Sequence, residues 1–306
     1  MKATISRSCE RERVDCPPLA HARGHRSAQI LHAAIALCFS FLHAAEPPHS
    51  SLVIVIDGLR PDYITRELMP NLLALGEAGV IADAHHAVFP TVTRVNSTSL
   101  ATGTYPRAHG LLNNTIYLPA ASAAAIDTGD ATALQAADTA TGGQLLTAPT
   151  LAGLFARAGK KVFTTGSGTT GSALLLNHRP TATSPLFSSR NFVRPESLRA
   201  RAETVLGTAP ATTYPSRAAN RWTIDAYLEI ALKDYRPDVT LMWLTEPDGT
   251  AHKYGMGAPQ TLEALGHIDE ELGRLLATLT QRGLRDRVNI FITAAHGFST
   301  HGGPFN

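Results

Sequence analysis

Four side chains that can bind a metal ion lie shortly after apolar runs of the sequence. Asp57 comes directly after one apolar run, and Asp248 and His296 each follow another run within a few residues. His252 lies four residues after Asp248. Carboxylate oxygens and imidazole nitrogens are ordinary zinc ligands. The sequence therefore predicts that these residues bind metal, provided that the chain brings them together.

Each of these residues also has an ordinary structural explanation when it is considered alone. An aspartate after a strand, such as Asp57, is often a turn residue or a helix cap. An Asp–His pair four residues apart has many accidental matches, and a single histidine such as His296 is commonly structural or solvated. The metal prediction therefore depends on the strand ends taken together.

A hydroxyl group suited to nucleophilic attack lies in the segment FPTVTRVN, residues 89–96. A threonine at a loop-to-helix junction can act as a nucleophile if a metal ion lowers its pKa and the helix N-terminus stabilises the anion. Thr91 and Thr93 are the candidates. The alternative is that one of them simply caps the helix that contains residues 97–101.

Alternating strand-like and helix-like segments would position these residues. Continuous apolar runs predict buried strands, and apolar residues at steps of three and four predict helices. We therefore expect an α/β fold, a mostly parallel sheet with helices on both faces, whose ligands bind beyond the carboxyl ends of the strands. The predicted strands are 52–56, 80–84, 161–165, 239–245 and 288–293, the predicted helices are 70–78, 148–158 and 262–279, and 120–143 is predicted to be an irregular insertion.

The first 45 residues have the order of features of a secretory signal peptide. Arg23 and Arg26 precede the apolar segment 30–45, which ends in small residues. A membrane anchor or a buried helix is the alternative, although the run is short for a membrane span. We expect an exported protein, periplasmic or secreted, with its domain at residues 46–306. All three cysteines precede residue 46, so that domain has no thiol for a disulfide or for catalysis.

The charge of the predicted domain argues against a polyanionic partner. Residues 46–306 hold 21 Lys and Arg and 22 Asp and Glu. Such a balance gives no basic surface for nucleic acid. Nucleic acid is therefore not expected as a structural partner.

Several motifs, taken together and in order, resemble the nucleotide pyrophosphatase/phosphodiesterase (type I phosphodiesterase) family of the alkaline-phosphatase superfamily. The resemblance implies hydrolysis of a small phosphodiester or nucleotide with two divalent ions, which are zinc in this family. It also implies that Thr93 attacks phosphorus to give a phosphothreonine and that Asn114 binds the non-bridging oxygen. The motifs are VIDGLRPD at 55–62, FPTVT at 89–93 followed by ATGTYP and HG, EPDGTAHKYG at 246–255 and AHGF at 295–298.

The resemblance further implies a ligand set for each ion, and the sequence departs from both sets. Ala295 replaces the aspartate of the family's Asp-His pair, and the chain stops at Asn306, before the last histidine ligand. We therefore expect a fold that is incomplete at its C-terminus and a weakened metal site, with His301 as a nearby spare residue. A catalytic zinc ion normally has three protein ligands. The implied ligands are Asp57, Thr93 and His296 for one ion, and Asp248 and His252 for the other.

The residues beside the nucleophile and the incomplete ligand sets keep several functions open. Val92 and Arg94 stand where many nucleotide-cleaving members have Lys and Phe. We expect a metal-dependent hydrolase of phosphodiester or pyrophosphate bonds that is impaired in this chain. The alternatives are a phosphomonoesterase or phosphonate hydrolase of the same superfamily, and a non-catalytic binding protein that has lost its ions. A sulfatase is disfavoured because the domain lacks the cysteine that would be modified.

Overall fold

The computed structural model describes residues 49–299, in which a mixed sheet is surrounded by helices. The strands are β1 (Ser50–Ile56), β2 (Thr115–Ile116), β3 (Ile126–Asp127), β4 (Val162–Gly166), β5 (Leu186–Ser188), β6 (Phe192–Arg194), β7 (Val239–Leu244) and β8 (Val288–Thr293). Six of them form the main sheet in the order β6-β5-β4-β7-β1-β8. Its strand pairs are parallel except for β5 with β6. The mostly parallel α/β sheet expected from the sequence is confirmed.

Helices connect the strands and cover the sheet. A π-helix (Ala226–Tyr235) continues directly from α8, and short 3₁₀ turns lie at Pro61–Tyr63, Glu196–Leu198 and Arg285–Arg287. The α-helices are α1 (Pro70–Glu77), α2 (Thr93–Thr102), α3 (Pro106–His109), α4 (Ala131–Ala140), α5 (Leu151–Arg157), α6 (Thr170–Leu176), α7 (Arg199–Leu206), α8 (Arg217–Asp225), α9 (Asp248–Tyr254) and α10 (Pro259–Gln281).

β1 shows why the sheet needs helices on both faces. Alternate residues of a strand point to opposite faces, and in β1 both sets are apolar. Leu52, Ile54 and Ile56 belong to a hydrophobic cluster that includes residues of α8 and α10. Val53 and Val55 belong to a second cluster with residues of α2 and α5. Between β7 and β8, this strand is therefore held at the centre of the packing, and its end is a rigid position for a side chain.

One predicted strand and the predicted irregular insertion are wrong. Residues 80–84 form no strand, and Val80 and Ile81 are 96% and 66% exposed, so their apolar character does not reflect pairing in the sheet. Residues 120–143 contain β3 and α4, and the Asp130 side chain caps α4 by accepting the N–H of Thr132. The buried face of α4 is mostly alanine, which explains why its helical period is weak in the sequence.

Some predictions lie outside the described residues. The signal peptide at 1–45, the three cysteines and His301 are among them. Within residues 49–299, none of the helices combines the length and the apolar character needed to span a membrane.

Candidate metal and catalytic site

Asp57 begins the turn after β1, at the carboxyl end of the sheet. Its N–H donates to the carbonyl of Leu244 over 2.9 Å, and its own carbonyl accepts the N–H of Asp248 over 3.1 Å. Gly58 has φ +75°, and a Cβ at this position would lie 3.0 Å from the Cα of Asp248. The turn therefore requires glycine, and the close approach of the two backbones sets Asp57 beside Asp248.

Asp248 is the first residue of α9, and His252 lies one turn further along the same helix. The Oδ1 atom of Asp248 is 3.4 Å from Nε2 of His252. The buried carboxylate of Glu246 accepts the N–H groups of Ser216 (2.8 Å) and Thr250 (3.0 Å). These bonds fix the segment that leads into α9, and with it the position of Asp248.

Thr93 is the first residue of α2, as a hydroxyl at a loop-to-helix junction requires. The cap position is taken by Val92, whose side chain makes no capping hydrogen bond, so the alternative that Thr91 or Thr93 caps this helix is wrong. The N–H of Arg94 donates to Oδ1 of Asn114 over 3.1 Å. This bond holds Asn114 beside the helix start and directs its carboxamide oxygen to the backbone.

His296 joins the two aspartates and the threonine. Its Nε2 atom lies 3.2 Å from Oγ1 of Thr93, 3.4 Å from Oδ1 of Asp57 and 4.0 Å from Oδ1 of Asp248. One ligand atom from each of Asp57, Asp248 and His296 lies within 4.8 Å of the other two. Residues up to 239 positions apart in the chain therefore meet at one edge of the sheet.

The donor atoms of this group fit a divalent cation. Oδ1 of Asp57 and Oδ1 of Asp248 are both buried without a hydrogen-bond partner among residues 49–299. Burial raises the pKa of Asp57 well above its ordinary value, the charge of Asp248 raises it further, and the hydrogen bond from Trp243 lowers it. Burial also raises the pKa of Asp248, against the charge of His252. A bound cation would satisfy both oxygens and offset the repulsion between the carboxylates.

The comparison with protein families agrees with this geometry. The family model described as "Type I phosphodiesterase / nucleotide pyrophosphatase" matches residues 51–303. The chain belongs to this family. Because the family is metal-dependent, a group of residues able to hold an ion is expected at its centre, and the Asp57, Asp248 and His296 group is such a site.

Curated members of the family cover most of the described chain. Venom phosphodiesterase 2 of Crotalus adamanteus is 31% identical over 253 residues, which are 80% of this chain and 26% of the relative. Ectonucleotide pyrophosphatase/phosphodiesterase family member 3 of Rattus norvegicus is 25% identical over 265 residues, 82% of this chain and 25% of the relative. The chain therefore spans about a quarter of the length of these relatives.

Solved structures confirm an alkaline-phosphatase-like fold. Phosphonoacetate hydrolase from Sinorhizobium meliloti 1021, in complex with phosphonoacetate, matches with a TM-score of 0.61 and 27% identity, covering 82% of this chain and 57% of that one. Murine ectonucleotide pyrophosphatase/phosphodiesterase 5 matches with a TM-score of 0.58 at 19% identity, over the same shares of both chains. The second likeness concerns the fold alone.

Two further residues considered in the sequence analysis, Ala295 and His252, are not part of the group of three. Ala295 is buried against Val55 and Trp243, beside a cavity of about 310 Å³, and its methyl group cannot bind a metal ion. His252 lies outside the group of three ligands, with a side chain that is 70% exposed. Its ring contacts Asp248 and, edge to face at 4.9 Å between centroids, Phe298.

Sequence reasoning missed two contacts that support the site. The indole N–H of Trp243 donates to Oδ2 of Asp57 over 3.2 Å and so orients the carboxylate. Arg94 forms an ion pair with Asp127, 3.3 Å between Nη2 and Oδ1. A tryptophan near the end of a buried strand was the available signal for the first contact. The second contact joins residues 33 positions apart, and no local pattern of the sequence indicates it.

Proposed function

We propose that this chain catalyses metal-dependent hydrolysis of phosphodiester or pyrophosphate bonds, with Thr93 as the nucleophile. One observation carries the proposal: the Thr93 hydroxyl lies 3.2 Å from the ring of His296 at the start of α2, and that ring also lies beside the buried carboxylate of Asp57 and the half-buried carboxylate of Asp248. The family membership supports the reaction class. A binding protein without catalysis would not need a hydroxyl group placed beside an imidazole ring and two carboxylates.

The residues near Thr93 would hold two divalent ions, which we propose to be zinc. Asp57, Thr93 and His296 would bind one ion, and Asp248 and His252 would bind the other. Bound zinc lowers the pKa of a coordinated hydroxyl group and stabilises developing negative charge on oxygen. The Oδ1 atoms of the two aspartates, buried and without a hydrogen-bond partner in the described part of the chain, support this assignment.

The protein's own groups would position the substrate and take part in bond making. The first N–H groups of α2 carry the positive end of the helix dipole, which favours a phosphoryl group beside Thr93. Since Oδ1 of Asn114 accepts a backbone N–H, its Nδ2 group would donate to the non-bridging oxygen. The Thr93 oxygen would bond to phosphorus while the bond to the leaving group breaks. Water would later attack the same phosphorus and break its bond to Thr93, which releases the second product and regenerates the hydroxyl group.

Ligand counting predicts that the reaction is slow in this chain. Ala295 supplies no ligand to the first ion, and Asp248 and His252 give the second ion only two among the described residues. Catalytic zinc sites normally have three protein ligands. Losing one ion would remove several kcal/mol of transition-state stabilisation, on the order of a thousandfold in rate.

The relatives support a substrate class and a place of action for this chain. We propose a small phosphodiester or nucleotide as substrate and an exported protein, periplasmic or secreted, since the relatives are named as venom enzymes and ectonucleotide pyrophosphatases. The basic, apolar and small-residue order of the first 45 residues supports export.

The test is to trap the covalent intermediate. The chain is incubated with zinc and bis-(4-nitrophenyl) phosphate and quenched in acid, and the peptide that contains residues 89–96 is examined by mass spectrometry. We expect a 4-nitrophenyl phosphoryl group on Thr93 and release of one nitrophenol per adduct, both abolished by Thr93→Ala. Thr91→Ala is the matched control because Thr91 is exposed, and it should retain both. Equal loss in the two variants, or turnover that survives Thr93→Ala, would refute the proposed nucleophile.

A further inference from the structure

Arg94 carries a positive charge on a half-buried side chain next to the proposed nucleophile. It directly follows Thr93 in α2, and its side chain is only 16% exposed. One nitrogen, Nη2, pairs with Oδ1 of Asp127, whereas Nε is buried without a hydrogen-bond partner among residues 49–299. A guanidinium group has five N–H donors, and burying them unpaired is unfavourable. The arrangement therefore leaves donors for a ligand.

A small hairpin ties Arg94 to Asn114, the other candidate phosphate-binding residue. The hairpin consists of β2 and β3, with Thr115 paired to Asp127. It contacts Arg94 twice: Asn114 accepts the backbone N–H, and Asp127 accepts the guanidinium group. The side chain and N–H of Thr128 donate to the carbonyl of Asn114, over 2.6 and 3.0 Å. Both groups are thus set by one structural unit.

Gly129 leaves the space that the guanidinium group of Arg94 occupies. A Cβ at this position would lie 2.5 Å from Nη2 of Arg94 and 3.1 Å from Oδ1 of Asp127. The N–H of Gly129 also donates to Oδ1 of Asp127 over 2.8 Å, which orients the carboxylate toward the arginine. Any larger residue would displace the ion pair. Arg94 is therefore held in place by backbone and side-chain contacts on one side, with its charge close to the site.

Arg94 and Asn114 differ in charge. Asn114 is a neutral donor and suits an oxygen of a singly charged diester, whereas a guanidinium group suits an additional negative charge. The two residues together offer one neutral and one charged contact.

We propose that Arg94 is a specificity-determining residue that selects substrates with a second negative charge on, or next to, the scissile phosphorus. Phosphomonoesters carry that charge on the phosphorus itself, and pyrophosphates carry it on the neighbouring phosphorus. A simple diester carries no second negative charge. When it is bound, the half-buried guanidinium group of Arg94 has only its ion pair with Asp127 among the described residues. The inference rests on the proposed function because it assumes that the scissile group lies beside Thr93.

The experiment measures binding by titration calorimetry on the zinc-loaded chain. The probes are phenyl phosphate, P1,P2-diphenyl pyrophosphate and diphenyl phosphate, so that the first two distinguish the two sources of the second charge. The variants are Arg94→Gln, Arg94→Lys and Asp127→Asn. Arg107→Gln is the matched control because Arg107 is an exposed arginine. Zinc content and circular dichroism of each variant report whether the site and the fold are intact.

We expect Arg94→Gln to weaken binding of phenyl phosphate, diphenyl pyrophosphate or both by about 10- to 100-fold, the usual size of a charge-assisted hydrogen bond. Diphenyl phosphate should lose much less. Arg94→Lys should restore part of the loss, Asp127→Asn should cause a smaller loss than Arg94→Gln, and Arg107→Gln should behave as the parent chain.

Other results would overturn the inference. An equal loss for all three probes would make Arg94 a structural residue of the hairpin, and no loss for any probe would exclude a contact with the ligand. If the parent chain binds zinc but prefers diphenyl phosphate, only this inference fails. If it binds neither zinc nor any probe, the proposed function fails as well.

Discussion

His296 turns one ring nitrogen toward Thr93, from which it is separated by 203 positions in the sequence. Its Nδ1 atom lies 2.7 Å from the carbonyl oxygen of Gly297, which can only accept, so Nδ1 carries the proton. Nε2 is the ring nitrogen that faces Thr93, over 3.2 Å to Oγ1. Metal-binding histidines typically have their second ring nitrogen fixed in this way by a carbonyl or a carboxylate.

Asp57→Asn should separate stability from metal binding. The substitution removes a buried charge beside Asp248 and keeps an acceptor for Trp243, so the metal-free variant should be as stable as the parent chain or more stable by about 1–3 kcal/mol. Zinc should stabilise the parent chain by about 2.7 kcal/mol when its concentration is a hundred times the dissociation constant. The same concentration of zinc should not stabilise the variant. Urea unfolding with EDTA or with zinc measures both effects.

Asp286→Asn is the control for this comparison because Asp286 is an exposed aspartate. It should unfold like the parent chain under both conditions. A large loss of stability in metal-free Asp57→Asn would mean that the Asp57 carboxylate has a structural partner that offsets its burial. Full stabilisation of Asp57→Asn by zinc would exclude it as a ligand.

Ala295→Asp should improve zinc binding without restoring a complete enzyme. Without metal, a third carboxylate near Asp57 and Asp248 should destabilise the chain by several kcal/mol, because its burial has no compensation. Zinc should reverse that loss, since the new carboxylate completes one ion's ligands. Within residues 49–299 the second ion would still have only Asp248 and His252, so hydrolysis of bis-(4-nitrophenyl) phosphate should rise only in part.

Ala295→Asn separates the effect of charge from that of size in this experiment. It should be destabilised by a smaller amount, and zinc should not rescue it. The ligand assignment is wrong if zinc stabilises the parent chain as much as it stabilises Ala295→Asp, or if zinc also restores the stability of Ala295→Asn.

Gly58→Ala should disturb the contact that sets Asp57 beside Asp248. Gly58 and Gly103 both have positive φ, of +75° and +64°, but only Gly58 has neighbouring atoms where a Cβ would lie. We expect Gly103→Ala to cost about 1 kcal/mol from backbone strain alone. Gly58→Ala should cost about 1–3 kcal/mol more and weaken zinc binding about tenfold or more. Equal zinc affinity in the two variants would show that the backbone contact does not set the site.

The neutral state of His109 should make stability depend on pH. Its Nδ1 atom accepts the N–H of Leu111, and Nε2–H donates to Ser99, in a site where burial lowers the pKa of His109 to about 4. The unfolded chain takes up this proton below about pH 6.5, before the folded chain does. The free energy of unfolding contributed by His109 is therefore constant above pH 6.5 and falls between pH 6.5 and about 4.

Urea unfolding at pH 7.5 and at pH 4.5 measures this dependence. His109→Gln should be less stable than the parent chain at pH 7.5, and its loss of stability on acidification should be smaller. His86→Gln is the control because His86 is exposed, and it should follow the parent chain at both pH values. If His109→Gln loses as much stability on acidification as the parent chain, His109 does not titrate in this range.

The sequence predicts the core of the site well because the rule for it is simple. Asp57, Asp248 and His296 each follow a parallel strand, and the carboxyl ends of neighbouring parallel strands meet at one edge of a sheet. Thr93 requires only a helix start. Such positions are fixed by the order of elements rather than by detailed packing.

The remaining features depend on contacts that the local sequence does not encode. The bond from Trp243 to Asp57 needs the register of β1 with β7, and the pair of Arg94 with Asp127 needs a hairpin in a segment with weak periodicity. Residues 80–84 are apolar enough for a strand, yet they do not pair with any strand of the main sheet. Tertiary packing decides these cases, and it is not visible in a window of residues.

Anomalous diffraction at the zinc edge, from crystals of the parent chain grown with zinc, would locate the ions without relying on activity. We expect a zinc peak within bonding distance of Asp57, Thr93 and His296, and a weaker peak beside Asp248 and His252. Absence of both peaks at saturating zinc, or a strong peak only at other histidines such as His85 and His86, would contradict the metal-dependent site and the threonine mechanism built on it.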